Sequence, residues 1–182
     1  MRVIAGIAKG RRLFSVPGMS TRPITDRVKE ALFDILGERV VDAHFLDLFA
    51  GTGGVGIEAL SRGASSATFV ESSARVLSVL RRNLELTGLG DQARVVRRDV
   101  FKFIASYKGQ PFDLIYVAPP QYKGLWAQTL YALDNSSLLQ FGTLVVAQIH
   151  PKEYEELNLY TLVLSDKRKY GSTLLCFYEA CS

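Results

Sequence analysis

The sequence has few of the residues that build disulfide frameworks or zinc sites. Its 182 residues include only two cysteines, Cys176 and Cys181, and two histidines, His44 and His150. The cysteines stand near the end of the chain with no cluster of histidines or further cysteines around them, which argues against a disulfide scaffold and against a zinc site. We therefore expect a reduced, cytoplasmic protein that binds no metal.

Long apolar runs are also missing. No stretch approaches the ~20 apolar residues of a membrane-spanning helix, and Lys9, Arg11 and Arg12 interrupt the region where a secretory signal would need its apolar core. No internal repeat, low-complexity stretch or long linker divides the chain. With 48% hydrophobic and 22% charged residues, the composition is typical of a single globular domain over residues 1–182. We expect a monomer without membrane attachment.

Positive charge is concentrated at the start of the chain. The formal net charge is +4, yet residues 1–30 carry seven basic and two acidic side chains. A basic segment on a near-neutral body can concentrate a polyanion near one face, although a solvated surface segment would explain the same charges. The candidate phosphate-binding side chains are Arg2, Lys9, Arg11, Arg12 and Arg22.

Short apolar runs alternate with helical patterns through most of the chain. Strands are predicted at 44–50, 67–71, 93–97, 112–118 and 141–149, and helices at 25–38, 54–63, 73–88, 99–107 and 123–134. This alternation predicts an α/β fold with a mainly parallel, Rossmann-like sheet. Runs at 159–165 and 172–180, joined by the sequence DKRKYG, predict an antiparallel C-terminal hairpin. Runs at 3–7 and 12–16 predict a small N-terminal β-hairpin in a basic extension over residues 1–20.

A glycine-rich loop follows the first of the alternating strands. Gly51, Gly53 and Gly56 satisfy the pattern GxGxxG between a strand and a helix, and Glu71 ends the next strand, where it can bind ribose hydroxyls. The pattern indicates an adenosine-type ligand. A dinucleotide would place a pyrophosphate at the helix N-terminus, whereas Asp47 favours a ligand with positive charge. The loop therefore favours S-adenosylmethionine over a nicotinamide dinucleotide.

The fourth alternating strand ends in Ala118-Pro119-Pro120. Two successive prolines lack N–H donors and have fixed φ angles, so they form a rigid ledge that presents carbonyl acceptors. Such a ledge could hold an amino group by its hydrogens, whereas hydride transfer has no evident use for it.

Together these segments resemble the RsmD-type methyltransferases, which methylate the N2 amino group of a guanine in 16S rRNA of the small ribosomal subunit. The resemblance covers nearly the whole chain and is most specific at residues 22–33 (RPITDRVKEALF), 47–53 (DLFAGTG), 56–64 (GIEALSRGA) and 169–173 (KYGST). It implies a class I methyltransferase fold that binds S-adenosylmethionine and acts on 16S rRNA within the small subunit or its assembly intermediates.

The resemblance also implies roles for individual residues. Asp47, Gly51 and Gly53 match the loop around the methionine part of the cofactor, and Glu71 matches the ribose-binding acid. Further matches are Asp99 beside the adenine amino group, Val100 next to the adenine ring, and Thr25 and Arg27 near the cofactor's carboxylate.

The sequence departs from the family at the catalytic motif. The family usually has Asp or Asn, then Pro-Pro, then Tyr or Phe, whereas this chain has Ala118, Pro119, Pro120 and Gln121, with Tyr122 one residue late. The family also often has Thr where Ile24 stands. Ala118 offers no side-chain acceptor to the target amine.

Three interpretations of this departure stay open. The site could be active with Gln121 supplying an oxygen and Tyr122 a stacking face, it could act on another atom, or the protein could bind cofactor and RNA with weak or no turnover. Outside the family, an NAD-dependent oxidoreductase and a non-catalytic RNA-binding module are the alternatives. S-adenosylmethionine binding without NAD binding, and turnover on ribosomal particles, would separate them.

Overall fold

The computed structural model describes residues 1–18 and 23–182. Seven strands form one sheet in the order β3-β2-β1-β4-β5-β7-β6. They are β1 His44–Leu48, β2 Ser66–Glu71, β3 Ala93–Arg97, β4 Leu114–Val117, β5 Leu144–Ile149, β6 Leu162–Tyr170 and β7 Thr173–Ala180. The first five strands pair in parallel, and β7 runs antiparallel to both β5 and β6. The predicted mixed α/β fold is confirmed.

Helices cover both faces of the sheet. Asp26–Leu36 (α1), Gly54–Ser61 (α2) and Ala74–Thr87 (α3) bury apolar side chains in one core, and Val100–Ser106 (α4) and Leu125–Leu133 (α5) bury theirs in a second core on the opposite face. Three helices begin at capping side chains, Thr25, Ser73 and Asp99, which accept hydrogen bonds from Val28, Val76 and Lys102 N–H groups. The parallel strands all end at one edge of the sheet, where a ligand site is expected.

The N-terminal extension differs from its prediction. Within its described residues 1–18, the chain folds back so that Val3 N–H donates to the Arg11 carbonyl at 2.9 Å, but the pairing there amounts to an isolated antiparallel bridge between Arg2 and Arg12. The two predicted strands at 3–7 and 12–16 are therefore wrong. The physical reason is that the next N–H groups along the chain do not continue this pairing: those of Ile4 and Ala5 donate to Glu58, and that of Ala8 donates to Ser61.

The C-terminal hairpin is longer than the sequence indicates. Residues 166–170, predicted as part of the connection, belong to β6, and only Gly171 and Ser172 form the turn. Strand pairing uses backbone groups, so charged side chains are tolerated on a strand at the edge of the sheet. Gly171 has a φ of 59°, as a tight two-residue turn requires. In the described residues, no helix has the length and hydrophobicity needed to cross a membrane.

Candidate active site

The loop after β1 is tightly packed. Phe49 adopts a left-handed φ of 60°, and Gly53 a φ of 90°. A Cβ on Gly53 would lie 2.2 Å from Leu80 Cδ1, and one on Gly56 would lie 2.3 Å from Phe69 Cε1. Only glycine fits these two positions, because the loop and the start of α2 lie directly on α3 and β2. Nothing in the sequence indicated that Phe49 would adopt this strained backbone conformation.

Asp47 lies at the base of this loop. Its side chain is 1% exposed, and its Oδ2 accepts a hydrogen bond from the Gly56 N–H at 3.1 Å. Burial raises the pKa of this carboxyl group well above its usual range, and the neighbouring charge of Glu71 raises it further. A buried carboxylate with one hydrogen bond is poorly compensated, so a cationic ligand group next to it would be stabilised.

Glu71 supports the same loop from the end of β2. Its Oε1 accepts from the Gly51 N–H at 3.0 Å, and its Oε2 accepts from the Ser73 N–H at 2.9 Å. The side chain is half-buried. Each carboxylate oxygen keeps a further lone pair, so Glu71 can hold the loop and still accept from ligand hydroxyls.

A cavity of about 600 Å³ opens over the loop at the carboxyl edge of the sheet. This volume is in the range of small-molecule sites. Its lining comes from the end of β1 and the loop after it (Asp47, Gly51), the N-terminal segment of residues 1–18 (Phe14, Val16), the N-cap of α1 (Thr25) and the ends of β4 and β5 (Ala118, Gln148).

The N-terminal segment forms a wall of this cavity, which the sequence did not indicate. Asn83 on α3 joins the segment to the glycine loop: its Oδ1 accepts from Phe14 N–H at 2.8 Å, and its Nδ2 donates to the carbonyls of Phe14 and Thr52. The sequence hints at this role because a polar asparagine stands on the apolar side of the predicted helix 73–88. Asn83 is fully buried, and its polar atoms make these bonds in place of water.

A second buried group anchors the start of the segment. Glu58 on α2 accepts from the N–H groups of Ile4 and Ala5 and pairs with Lys29 Nζ at 3.0 Å and Arg62 Nε at 2.7 Å. Burial lowers the pKa of Lys29, although Glu58 opposes that shift. Removing one partner of such a buried pair is costly because it leaves the other charge unpaired.

The Pro-Pro segment lines a smaller adjoining pocket of about 190 Å³. Pro119 and Gln121 lie in its wall, and Thr25, Ala118 and Gln148 line both this pocket and the main cavity. Pro120 lies outside both linings. Ala118 therefore stands at the junction between the two spaces, beside the carboxyl end of β5.

Tyr122 lies at the surface. Its side chain is 63% exposed, its φ is 61°, and its N–H donates to Glu153 Oε1 at 2.8 Å. The ring lies 5.5 Å from the ring of His150, centroid to centroid. Glu153 also accepts from the His150 N–H. The structure therefore brings the exposed ring of Tyr122 and the half-buried ring of His150 together next to the Pro-Pro segment.

Of the predicted cofactor residues, Thr25, Asp47 and Gly51 line the main cavity, whereas Gly53, Glu71, Arg27, Asp99 and Val100 are not part of its lining. Arg27 is exposed on α1. Asp99 is exposed, and its Oδ2 accepts from the Lys102 N–H at 3.0 Å, while Val100 is buried in the second core. Both residues follow β3, two strands away from β1 at the same edge of the sheet. Their assignment to an adenine site stays a prediction.

Most of the predicted phosphate-binding side chains reach solvent. Arg2, Lys9, Arg11 and Arg12 are exposed. Arg2 lies 3.7 Å from Asp26, and Arg11 Nη1 donates to the Leu86 carbonyl at 3.5 Å. Arg22 lies outside the described residues. Across residues 1–18 and 23–182, no group of three or more potential metal ligands occurs.

Comparison with known proteins gives a consistent set of relatives. A family model described as "Conserved hypothetical protein 95" matches residues 1–179. The Bacillus subtilis protein YlbH, which carries the name of an rRNA methyltransferase, is 37% identical over 182 residues, covering 98% of each chain. Ribosomal RNA small subunit methyltransferase D of Escherichia coli is 39% identical over 148 residues, covering 81% of this chain and 74% of that protein. The solved structure of the Escherichia coli protein yhhF superimposes with a TM-score of 0.88 at 34% identity, covering 100% of this chain and 98% of that one.

Proposed function

Because the chain belongs to the RsmD family of rRNA methyltransferases, we propose that it methylates the N2 amino group of a guanine in 16S rRNA with S-adenosylmethionine as methyl donor. The observation that carries this proposal is the position of Ala118, which lies where the cavity over the glycine loop meets the smaller pocket that Pro119 lines. One space can hold the cofactor, and the other can hold the amino group that receives the methyl group.

The chemistry of the cavity supports this cofactor. S-adenosylmethionine, when bound, supplies an electrophilic methyl group: the amine lone pair forms the N–C bond, the S–C electron pair returns to sulfur, and the amine proton leaves to water. Asp47, buried at the base of the cavity, favours the positive charge of such a ligand. Glu71 would accept from the ribose hydroxyls, and Asp99 with Val100 would meet the adenine.

The target amine needs help from the protein. The lone pair of an amino group on a purine ring is delocalised, so acceptors aimed at its hydrogens favour the geometry in which it can attack. The Pro119 carbonyl would be one such acceptor, and the position of this residue in the wall of the pocket beside Ala118 supports that role. Holding the amine and the methyl group in line supplies a further large part of the acceleration.

The exposed ring of Tyr122 and the neighbouring, half-buried ring of His150 would support the target base. They lie 5.5 Å apart next to the Pro-Pro segment, and base stacking on an aromatic side chain contributes about 1–3 kcal/mol. Tyr122 would thereby replace the aromatic residue that the family has one position earlier. The exposed Arg2, Lys9, Arg11 and Arg12 would contact rRNA phosphates in the small subunit or its assembly intermediates.

A second function rests on one observation. Ala118 has no side-chain acceptor where the family has Asp or Asn. Removing one positioned hydrogen-bonding group from a reaction centre typically costs on the order of 10²-fold in rate. The alternative is thus a homologue that binds cofactor and rRNA and turns over weakly or not at all.

The decisive experiment is a methyl-transfer assay with radiolabelled S-adenosylmethionine and small ribosomal subunits that lack the modification. We expect label in 16S rRNA, mapped by nuclease digestion and mass spectrometry to N2 of one guanine. Calorimetry on the same preparation should show binding of S-adenosylmethionine and none of NAD. Cofactor binding without label in the RNA would favour the binding homologue, and label on another atom would contradict the guanine-N2 assignment.

A further inference from the structure

Position 118 lacks a side-chain acceptor, but the neighbouring strand β5 places another polar side chain beside it. In the parallel pairing of β4 with β5, Tyr116 lies beside Val146 and Val117 beside Ala147. The next step along both strands brings Ala118 beside Gln148. Neighbouring residues in register point to the same face of a sheet, so the small side chain of Ala118 and the long side chain of Gln148 share one face.

Gln148 is the exception in its strand. The other residues of β5 are buried, whereas Gln148 is half-buried. Its side chain lines both the main cavity and the adjoining pocket, as Ala118 does. A carboxamide is therefore present at the junction of the two spaces, although it comes from the neighbouring strand and not from the Pro-Pro motif.

The carboxamide is held in a fixed orientation. The Tyr116 hydroxyl donates a hydrogen bond to Gln148 Oε1. Tyr116 is buried, and its pKa is raised well above its usual range by burial and by the charge of Asp47, so the phenol keeps its proton and remains a donor. A carbonyl oxygen has two lone pairs, so Gln148 Oε1 can accept from Tyr116 and from one further donor.

We infer that Gln148 is a catalytic residue of the proposed methyl transfer, and that its Oε1 accepts a hydrogen bond from the target amino group in place of the Asp or Asn that the family has at position 118. This inference rests on the proposed function. Ala118 is small, which leaves room for the longer side chain to reach over it from β5. The Pro119 carbonyl and Gln148 Oε1 would then accept from the two hydrogens of the amine. Tyr116 is a positioning residue for Gln148.

The test measures single-turnover methyl transfer from S-adenosylmethionine to unmodified small subunits, with cofactor affinity measured by calorimetry. Gln148→Ala should lower the rate about 10- to 100-fold and leave cofactor affinity within twofold. Gln92→Ala, at an exposed glutamine directly before β3, is the matched control and should keep the full rate. Tyr116→Phe should lower the rate less than Gln148→Ala does.

Rescue distinguishes a chemical role from a structural one. Adding Ala118→Asn to Gln148→Ala returns a carboxamide to the same junction from the other strand, and it should recover at least tenfold of the lost rate. A Gln148→Ala rate within twofold of the wild type, or a loss of rate that Ala118→Asn does not recover, would overturn the inference. If Gln121→Ala abolishes the rate and Gln148→Ala does not, Gln121 is the acceptor.

The same assay separates this inference from the function on which it rests. Wild-type protein that transfers no methyl group to rRNA would refute the proposed function, and the role of Gln148 with it. Active wild type with an unaffected Gln148→Ala variant would refute the role of Gln148 alone.

Discussion

Asp47 is a carboxylic acid placed where water hardly reaches it. Its raised pKa means that the folded protein binds a proton more tightly than the unfolded chain, whose Asp has a pKa of about 3.9. Stability therefore falls as the pH rises from that value to the pKa of the folded state, and levels off above it.

Asp47→Asn should remove this pH dependence. The amide oxygen can still accept from the Gly56 N–H, and no charge has to be buried. We expect a higher unfolding midpoint than wild type at pH 8 and a smaller difference at pH 4, measured by thermal denaturation, together with weaker S-adenosylmethionine binding by calorimetry. The exposed Asp34→Asn is the control. Equal midpoints for Asp47→Asn and wild type at pH 8 would contradict the cost of burying this charge.

Glu71 is predicted to hold the cofactor ribose. Charge-assisted hydrogen bonds contribute about 1.5–3 kcal/mol each, so Glu71→Ala should weaken S-adenosylmethionine binding at least tenfold in calorimetry. Loss of the bond to the Gly51 N–H would add to the effect. Glu85→Ala, an exposed position on α3, should bind as wild type does. A folded Glu71→Ala protein with unchanged affinity would remove Glu71 from the site.

Some of these residues could be predicted and others could not. Gly51, Gly53 and Asp47 stand in a dense local pattern, since a strand, a tight turn and a helix must follow one another within ten residues. Gln148 is a lone polar residue in the apolar run LVVAQI. Its proposed role depends on its position beside Ala118 across the sheet, and the spacing of residues in one sequence does not reveal the register between distant strands.

The conformation of the N-terminal segment also depends on contacts with distant residues, and the sequence predicted it only in part. Its basic residues predicted a surface arm, and those side chains are indeed exposed. The sequence did not predict that Val3, Ala8, Leu13 and Val16 would be buried against the domain. Several backbone groups of the segment bond to Glu58, Ser61 and Asn83, and the bonds within the segment form an isolated bridge instead of a pair of strands. The alternation of its own residues could therefore not reveal its conformation.

Two glycines in the N-terminal segment allow a matched test of whether its packing against Ser61 matters. Both have left-handed backbones, with φ of 85° at Gly6 and 88° at Gly10. A Cβ on Gly6 would lie 1.8 Å from the Ser61 carbonyl oxygen, whereas a Cβ on Gly10 would meet nothing within 4 Å. Each alanine substitution therefore carries the left-handed strain of about 1–2 kcal/mol, and only Gly6→Ala adds a backbone clash.

We expect Gly6→Ala to lower the unfolding midpoint well below that of Gly10→Ala and to weaken S-adenosylmethionine binding severalfold, because the segment forms a wall of the cavity. Thermal denaturation and calorimetry measure the two effects. Equal behaviour of the two variants would show that the segment does not need its contact with Ser61.

On the scale of the whole molecule, the charge asymmetry predicts how RNA affinity depends on salt. Each contact with a single-strand phosphate adds about −0.7 to the slope of log affinity against log salt concentration. Replacing Lys9, Arg11 and Arg12 by serine should reduce that slope by up to about 2 and leave cofactor affinity unchanged, since these side chains are exposed. Deleting the segment would be a poorer test, because the deletion also removes the cavity wall.

Fluorescence titration of a labelled 16S rRNA fragment at several salt concentrations measures this slope. The same serine substitutions at Arg81, Lys102 and Lys108, exposed positions elsewhere on the surface, are the control. An identical slope for wild type and the N-terminal variant would assign the N-terminal charges to the solvated surface.

The two outer strands of the sheet bear on how copies of the protein behave at high concentration. β3 exposes Arg94 and Arg97, and β6 exposes Lys167, Arg168 and Lys169. An open sheet edge is a template on which another chain can add a strand and begin an aggregate. Because both edges carry positive side chains, two molecules that approach edge to edge bring like charges together. The positive side chains of the C-terminal hairpin thus oppose edge-to-edge pairing of two molecules. Neutralising Lys167, Arg168 and Lys169 should make the protein prone to self-association in concentrated solution.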